Sequence, residues 1–577
     1  MERQFDAGRK RSHNFNNFKI NMNKKLLIFG LTLLSMITAC KEANQETVTA
    51  APEVPFYWEN ASIYFLLTDR FNNADTSNDV NFDRTLETAP LRGFKGGDIK
   101  GITEKITSGY FNDLGVNAIW FTPVVEQIHG GTDEGTGFTY AFHGYWAKDW
   151  TTLDPNFGTM EDLENLVKVA HDNGIRILMD AVINHTGPVT EQDPQWPDNW
   201  VRTSPKCEFN SYETAVHCAL VENLPDILTE SNNNVALPEA LVEKWKKEGR
   251  YEQEMNELDA FFERTGYPRA PRFYIIKWLT DYVREFGIDG YRADTVRHIE
   301  EDVWVEFKEE CEFAFNTWKQ QNASQVLDSN DFYMVGEVYD YDIISSGKSF
   351  DFGDVKVNYY DHGFDSMINF EFKKSANEDY EKIFSTYSTI LNNETNGFQV
   401  LNYLTSHDDG SPFDKTREKT YETASKLLLS PGTAQIYYGD ESARTLMVEG
   451  TQGDATLRSF MNWKDIDSND ETKTLLTHWQ KLGVFRSNHP SIGKGQHQMI
   501  SEAPYIFQRT FSKDDFSDAV VIGLDLEKGV KNIVVGAVFE EGTLLTDAYS
   551  NASAKVKNGS VSLDTPFSIV LLEKRSH

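Results

Sequence analysis

From about residue 56 to residue 450, apolar strand-like runs alternate with amphipathic helical stretches. That alternation constrains the fold more than anything else in the sequence. The runs fall at 62–67, 118–123, 175–183, 290–293, 332–338, 400–404 and 434–438, with a weaker eighth at 366–372. Helical spacing of apolar residues fills stretches between them, as at 160–173, 272–286 and 303–318. Strand–helix alternation of this kind builds a parallel sheet. Eight such units close a (β/α)8 barrel, which needs about 250 residues. The chain has 577 residues, so an α/β barrel fits with room for additions.

Two additions are legible. Roughly a hundred residues separate Ile183 from Gly290, too many for a structureless loop. They include a charged helical stretch at 241–262, and they read as a domain inserted after the third strand. After about residue 480, short β-type runs at 505–509, 519–524, 532–538 and 567–572 alternate with turn signals. That pattern predicts a C-terminal antiparallel β-sandwich. The predicted division is barrel at 56–185 and 271–480, inserted domain at 186–270 and sandwich at 481–577.

The first forty residues read as an export signal. Lys24 and Lys25 precede an apolar run at 26–37 that is too short to span a bilayer stably. The run ends in Ile37-Thr38-Ala39-Cys40, which resembles a bacterial lipobox with Cys40 as the lipidated residue. The alternative is a plain secretory signal with an incidental cysteine. Met22 then looks like the natural start, and 41–55, polar with two prolines, reads as a tether. By the lipoprotein pattern, Lys41 after the cysteine favours the outer membrane, on its periplasmic or outer face. In that compartment Cys207 and Cys218 can pair or stay free, and Cys311 reads as a buried thiol in a helix.

The 89 acidic residues against 56 basic ones give a net charge of −33. Such a chain lacks the basic face that neutralises phosphates, so a nucleic-acid partner is excluded. An anionic membrane surface is equally unsuited, leaving the lipid anchor on Cys40 as the one membrane contact.

Barrel chemistry sits at the C-terminal ends of strands, so the residues ending each run matter most. The third run ends Asp180-Ala181-Val182-Ile183-Asn184-His185, and the fourth ends Gly290-Tyr291-Arg292-Ala293-Asp294, followed by Arg297-His298. The fifth ends Gly336-Glu337-Val338, and the seventh ends Thr405-Ser406-His407-Asp408-Asp409. Arg292 and Asp294 share a side of their strand, and the cation favours an ionised Asp294. Several carboxylates with two histidines suit a glycosidic bond: one attacks the anomeric carbon, and another, its pKa raised by burial and like charges, protonates the leaving oxygen.

These segments resemble the four short motifs of the α-amylase family, glycoside hydrolase family 13. DAVINH resembles the first, GYRADTVRH the second, GEVY the third and LTSHDD the fourth. Each is weak alone; together, in family order and with an HGYW segment at 143–146, they are specific. The resemblance implies Asp294 as nucleophile, Glu337 as acid/base and Asp408 as transition-state stabiliser. It implies Arg292, His185 and His407 as their partners. Tyr145 would stack on the sugar and His143 would bind a hydroxyl. Arg297 and His298 would complete the substrate contacts, with Arg297 where the family often has Lys and Ser406 where Asn is common.

The resemblance also implies Ca²⁺, which takes six to eight oxygen ligands. One site would use Asn73, Asp75, Asn78, Asp79, Asp98 and the Gly96 carbonyl; a second would use Asn184, Asp226 and the His298 carbonyl. The implied activity is retaining cleavage of α-1,4-glucosidic bonds in starch, glycogen or maltooligosaccharides. The alternatives are a cyclomaltodextrinase or maltogenic amylase, an α-glucan transglycosylase or, in another class, a non-catalytic glycan-binding surface lipoprotein.

Overall fold

The structure is a computed structural model that describes residues 54–394 and 398–574. The leader, Cys40 and nearly all of the tether lie outside the described residues. Eight strands close a parallel barrel: β1 (Ser62–Leu66), β2 (Ala118–Phe121), β3 (Arg176–Ala181), β4 (Gly290–Ala293), β5 (Tyr333–Gly336), β6 (Ser366–Asn369), β7 (Gln399–Tyr403) and β8 (Thr433–Tyr437). Each pairs with its neighbours in sequence, and β8 returns to β1 with Ser62 opposite Ala434. All eight predicted runs are barrel strands, the weak run at 366–372 included. They are buried along their length, as expected of strands covered on both faces.

Helices form an outer layer: α1 (Ile99–Thr107), α2 (Met160–Asp172), the insertion's α3 (Glu239–Glu248) and α4 (Tyr251–Thr265), then α5 (Pro271–Phe286), α6 (Glu301–Gln321), α7 (Tyr380–Thr389), α8 (Thr420–Leu428) and α9 (Asp470–Asn488). Thr159 caps α2 in a reciprocal box with Asp162. The charged stretch expected as one helix at 241–262 is two, because Gly249 adopts φ +76° and ends α3.

The inserted segment also holds a two-stranded antiparallel pair, Val201–Arg202 with Asp226–Ile227, and a disulfide between Cys207 and Cys218. Much of the insertion's apolar surface packs into the barrel. Trp196, Trp200 and Trp245 belong to the barrel's continuous apolar cluster, with Trp200 stacked 6.5 Å from Trp278 of α5.

The predicted start of the sandwich at 481 needs correction. α9 runs through that point because Leu475, Trp479, Leu482 and Phe485 form its buried stripe. β structure begins at β9 (Gln496–Ser501), followed by β10 (Tyr505–Lys513), β11 (Phe516–Leu524), β12 (Gly529–Val534), β13 (Leu544–Asp547), β14 (Ser553–Lys555), β15 (Ser560–Thr565) and β16 (Val570–Glu573). β12 and β15 pair with each other, and the other six make one antiparallel sheet. Between the two sheets lies a separate apolar core that includes Ile533, Leu545, Leu563 and Leu572. Cys311 is a buried free thiol in α6.

Candidate active site

Arg292 organises the rim of the barrel. It is 1% exposed, and its guanidinium reaches three carboxylates delivered by three adjacent strands. Nη1 donates to Asp180 Oδ1 at 2.9 Å and to Asp294 Oδ1 at 2.6 Å. Nη2 lies 2.9 Å from Glu337 Oε1. Asp180 is tied further by the Tyr145 hydroxyl at 2.8 Å and Trp120 Nε1 at 3.1 Å. Glu337 Oε2 accepts the backbone N–H of Thr295 at 3.1 Å.

Burial raises Glu337, and the charges of Asp294 and Asp408 add to it. Arg292 offsets part of this, and the carboxyl stands at about 8. Glu337 therefore carries its proton at neutral pH. Burial likewise lifts Asp180, against the pull of Arg292, to about 6.

Asp408 lies across the pocket, beyond the end of β7. Its Oδ1 accepts from Arg458 Nη2 at 2.6 Å, and its Oδ2 lies 3.0 Å from His407 Nε2. Burial works against ionisation here, but His407 and Arg458 outweigh it and hold the carboxyl below the ordinary carboxylate range. Burial lowers the pKa of the His407 ring while Asp408 raises it, and Arg458 is the permanent cation beside Asp408. Arg458 also donates to the His407 carbonyl at 3.2 Å and pairs with Asp454 at 2.6 Å.

The HGYW segment completes the pocket. Gly144 holds φ +91° against the Pro123 carbonyl, where a Cβ would stand only 2.1 Å away. The turn stacks Tyr145 on His407, with centroids 5.4 Å apart. His143 Nδ1 accepts the Tyr145 N–H at 3.1 Å. Burial and Arg458 push its pKa down to about 3, so the ring is neutral and carries its proton on Nε2. His185 Nε2 lies 3.1 Å from the Tyr145 carbonyl.

The remaining predicted contacts sit beside the pocket. His298 is buried, its Nδ1 2.7 Å from the Ala215 carbonyl in the disulfide loop. Burial brings it down to about 4. Arg297 donates to the Tyr339 carbonyl at 3.1 Å and lies over the rings of Phe209, Tyr339 and Phe350. Four residues of the site had no role assigned from sequence. Asp180 opens the first motif, a readable signal; Trp120, Asp454 and Arg458 carry none.

Both predicted calcium positions contain unsatisfied oxygen. Asn73 Oδ1 and Asn78 Oδ1 are buried without a hydrogen-bond partner. Gly96, at φ +87°, lies so close that a Cβ would stand 2.2 Å from Asn73 Nδ2 and 2.4 Å from Asp79 Oδ1. Asp98 accepts the N–H groups of Ala74, Asp75 and Gly101, and Asp75 pairs with Lys100 at 2.6 Å. At the second position Asn184 Oδ1 and Asp226 Oδ1 are buried and unpartnered, while Asp226 Oδ2 pairs with Arg202 at 2.7 Å. Orphaned hard oxygens fit a hard cation. Elsewhere, Glu257, Asp281 and Glu285 bring carboxylate oxygens within 4.8 Å of one another. Lys277 pairs with the first two of these, at 3.0 and 2.5 Å.

Residues 65–494 match the family model described as the alpha amylase catalytic domain. The chain belongs to the alpha-amylase family. It is a glycosidase. Its relatives include the periplasmic alpha-amylase of Escherichia coli (strain K12), 35% identical over 531 residues that cover 81% of this chain and 72% of that protein. The cyclomaltodextrin glucanotransferase of Bacillus sp. (strain 6.6.3) is 27% identical over 528 residues, 86% of this chain and 63% of that enzyme. Among solved structures, an Anoxybacillus alpha-amylase superposes with a TM-score of 0.62 at 23% identity, covering 91% of this chain and all of that one. At that identity the likeness speaks for the fold.

Proposed function

We propose that this member of the family cleaves α-1,4-glucosidic bonds of starch, glycogen or maltooligosaccharides with retention of anomeric configuration. The observation that carries the reading is the shared guanidinium: Arg292 binds Asp294 and Glu337 together, and burial with its acidic neighbours pushes Glu337 up to about 8. Two carboxyls on one guanidinium favour the ~5 Å spacing of a retaining pair over the wider gap of about 6.5–9.5 Å in an inverting one.

Asp294 attacks the anomeric carbon as Glu337 gives its proton to the leaving oxygen. Glu337 then takes a proton from the incoming water, whose oxygen displaces Asp294. Asp408, fixed by Arg458, stabilises the positive charge on the sugar, which stacks on Tyr145. His143, His185 and His407 bind its hydroxyls, and Arg297 and His298 line the side where the leaving chain departs. Calcium, held by the two oxygen-rich sets, supplies no step and ties loops around the cleft. Export and a lipid anchor at Cys40 complete the reading; the E. coli relative is named as periplasmic.

Transfer to a sugar instead of water uses the same chemistry, and the glucanotransferase relatives make it the second reading. A product time course with maltoheptaose and soluble starch separates them. Short maltooligosaccharides are expected, with loss of about 10²–10⁴-fold in turnover for Glu337→Gln. Products longer than the substrate would favour transfer. Near-full turnover in Asp294→Asn would overturn the assignment of the nucleophile.

A further inference from the structure

A second large cleft, about 1120 Å³ in volume, lies outside the barrel between the starts of α7 and α8 and the C-terminal sheet. None of the residues assigned above enters it. Tyr380 of α7 and Tyr505 of β10 come from opposite walls and stack with planes 9° apart and centroids 6.0 Å apart. The Tyr505 hydroxyl is locked on Glu381 Oε2 at 2.9 Å, so this double platform is rigid. Tyr421, 47% exposed, rests on His478, and Phe567, 36% exposed, rests on the edge of Tyr549. Single exposed aromatics need no explanation, but several converging on one concavity do.

The charge of the cleft narrows its ligand. Six carboxylates against two lysines line it, and Lys426 is already held by the carbonyls of Ala376 and Glu378. Phosphates, nucleic acids and acidic sugars are repelled. The exposed carboxylates of Glu378, Asp379 and Asp525 are strong acceptors for hydroxyl donors. The flat, electron-rich ring faces suit the C–H faces of a pyranose. Together these groups fit an uncharged polyhydroxylated chain.

We propose that this cleft is a second glucan-binding site that holds a non-reacting stretch of the polymer being cut. The proposal rests on the α-glucan reading of the catalytic site. The chain order supports it: α7 and α8 are the helices that follow β6 and β7, and the segment that leads from β7 into α8 carries Asp408. A chain held there raises the effective concentration of its neighbouring segments at the rim.

The test uses the full chain carrying Glu337→Gln, so that bound glucan is not consumed. Titration of maltoheptaose is expected to show two classes of site, one of which disappears in Tyr421→Ala/Phe567→Ala. Soluble-starch affinity should fall at least about tenfold in that variant, the equivalent of two ring contacts. In the active protein the same pair should leave turnover of a short chromogenic maltotrioside unchanged. Hydrogen exchange gives a readout that needs no variant: maltoheptaose should protect 378–381 and 421–426. Unchanged starch affinity in the double variant, or a cleft that takes spermine and ignores maltoheptaose, overturns the proposal. Cleavage with a single site class that the pair does not alter sinks the cleft alone. No binding and no cleavage anywhere sinks the catalytic reading with it.

Discussion

Glu337 and Arg458 show how much of the chemistry depends on neighbours that are distant in sequence. Burial and two acidic neighbours keep the Glu337 proton until about pH 8. In the general-acid role proposed above, Glu337 works only while protonated, so activity should hold at neutral pH and fall as pH rises through about 8. A pH profile of kcat/KM checks this, and Asp408→Asn, which removes one raising charge, should move the alkaline limb to lower pH. Arg458→Met strips Asp408 of its guanidinium, and losing such a charge-assisted bond should cost about 10–100-fold in kcat. KM should change far less, because a positioning role is felt most in the charged transition state. The three acids stood out as candidates because each lies just beyond a strand inside a recognisable motif. Arg458 was not, because it lies beyond the last strand and reaches Asp408 only through the fold.

At the scale of elements, the strands were the most legible part. Each is a short apolar run, and parallel strands covered on both faces need that pattern. Boundaries set by backbone geometry were harder to read: the break at Gly249 and the continuation of α9 past residue 480 depend on a left-handed residue and on tertiary burial. The segment from 207 to 218 combines both kinds of constraint. Its disulfide closes a loop whose Phe209 lies against His298 and under Arg297. Replacing both cysteines with serine should cost on the order of 2–3 kcal/mol in urea unfolding and raise KM for long substrates more than for short ones. Chelation acts on elements too. EDTA followed by dialysis should lower Tm and loosen the loops at 73–98 and 184–226 to limited proteolysis. Metal analysis that finds no calcium, together with an unchanged Tm, would remove both sites from the account.

At the scale of the whole molecule, His489 joins the barrel to the C-terminal sheet. Its ring bonds Asp518 of β11 at 2.8 Å and Glu573 of β16 at 2.9 Å. Burial works against the charged ring, but the two carboxylates win and raise it to about 9. A pKa above the unfolded value of about 6.5 means that the bound proton stabilises the folded state. That contribution is complete below about pH 6.5 and is lost as pH climbs through 9. Tm measured from pH 6 to 10 should fall by a few degrees across that window, and His489→Gln should flatten the fall. The sandwich was legible as a class, from short runs between turns. Its attachment was not, because no local pattern marks which histidine will face two carboxylates from separate strands.

The return of β8 to β1 has a consequence for how this protein is made. Ser62 is among the first residues of the barrel to be synthesised, yet its partner Ala434 follows only after almost the whole barrel has been translated. At about 5–20 residues per second, the first strand waits tens of seconds with one edge unsatisfied. Until that partner arrives, the nascent sheet is an open ribbon that can pair with other chains. Chaperone occupancy of the N-terminal third, and aggregation of any product truncated before residue 433, should therefore be the signature failures of its biogenesis.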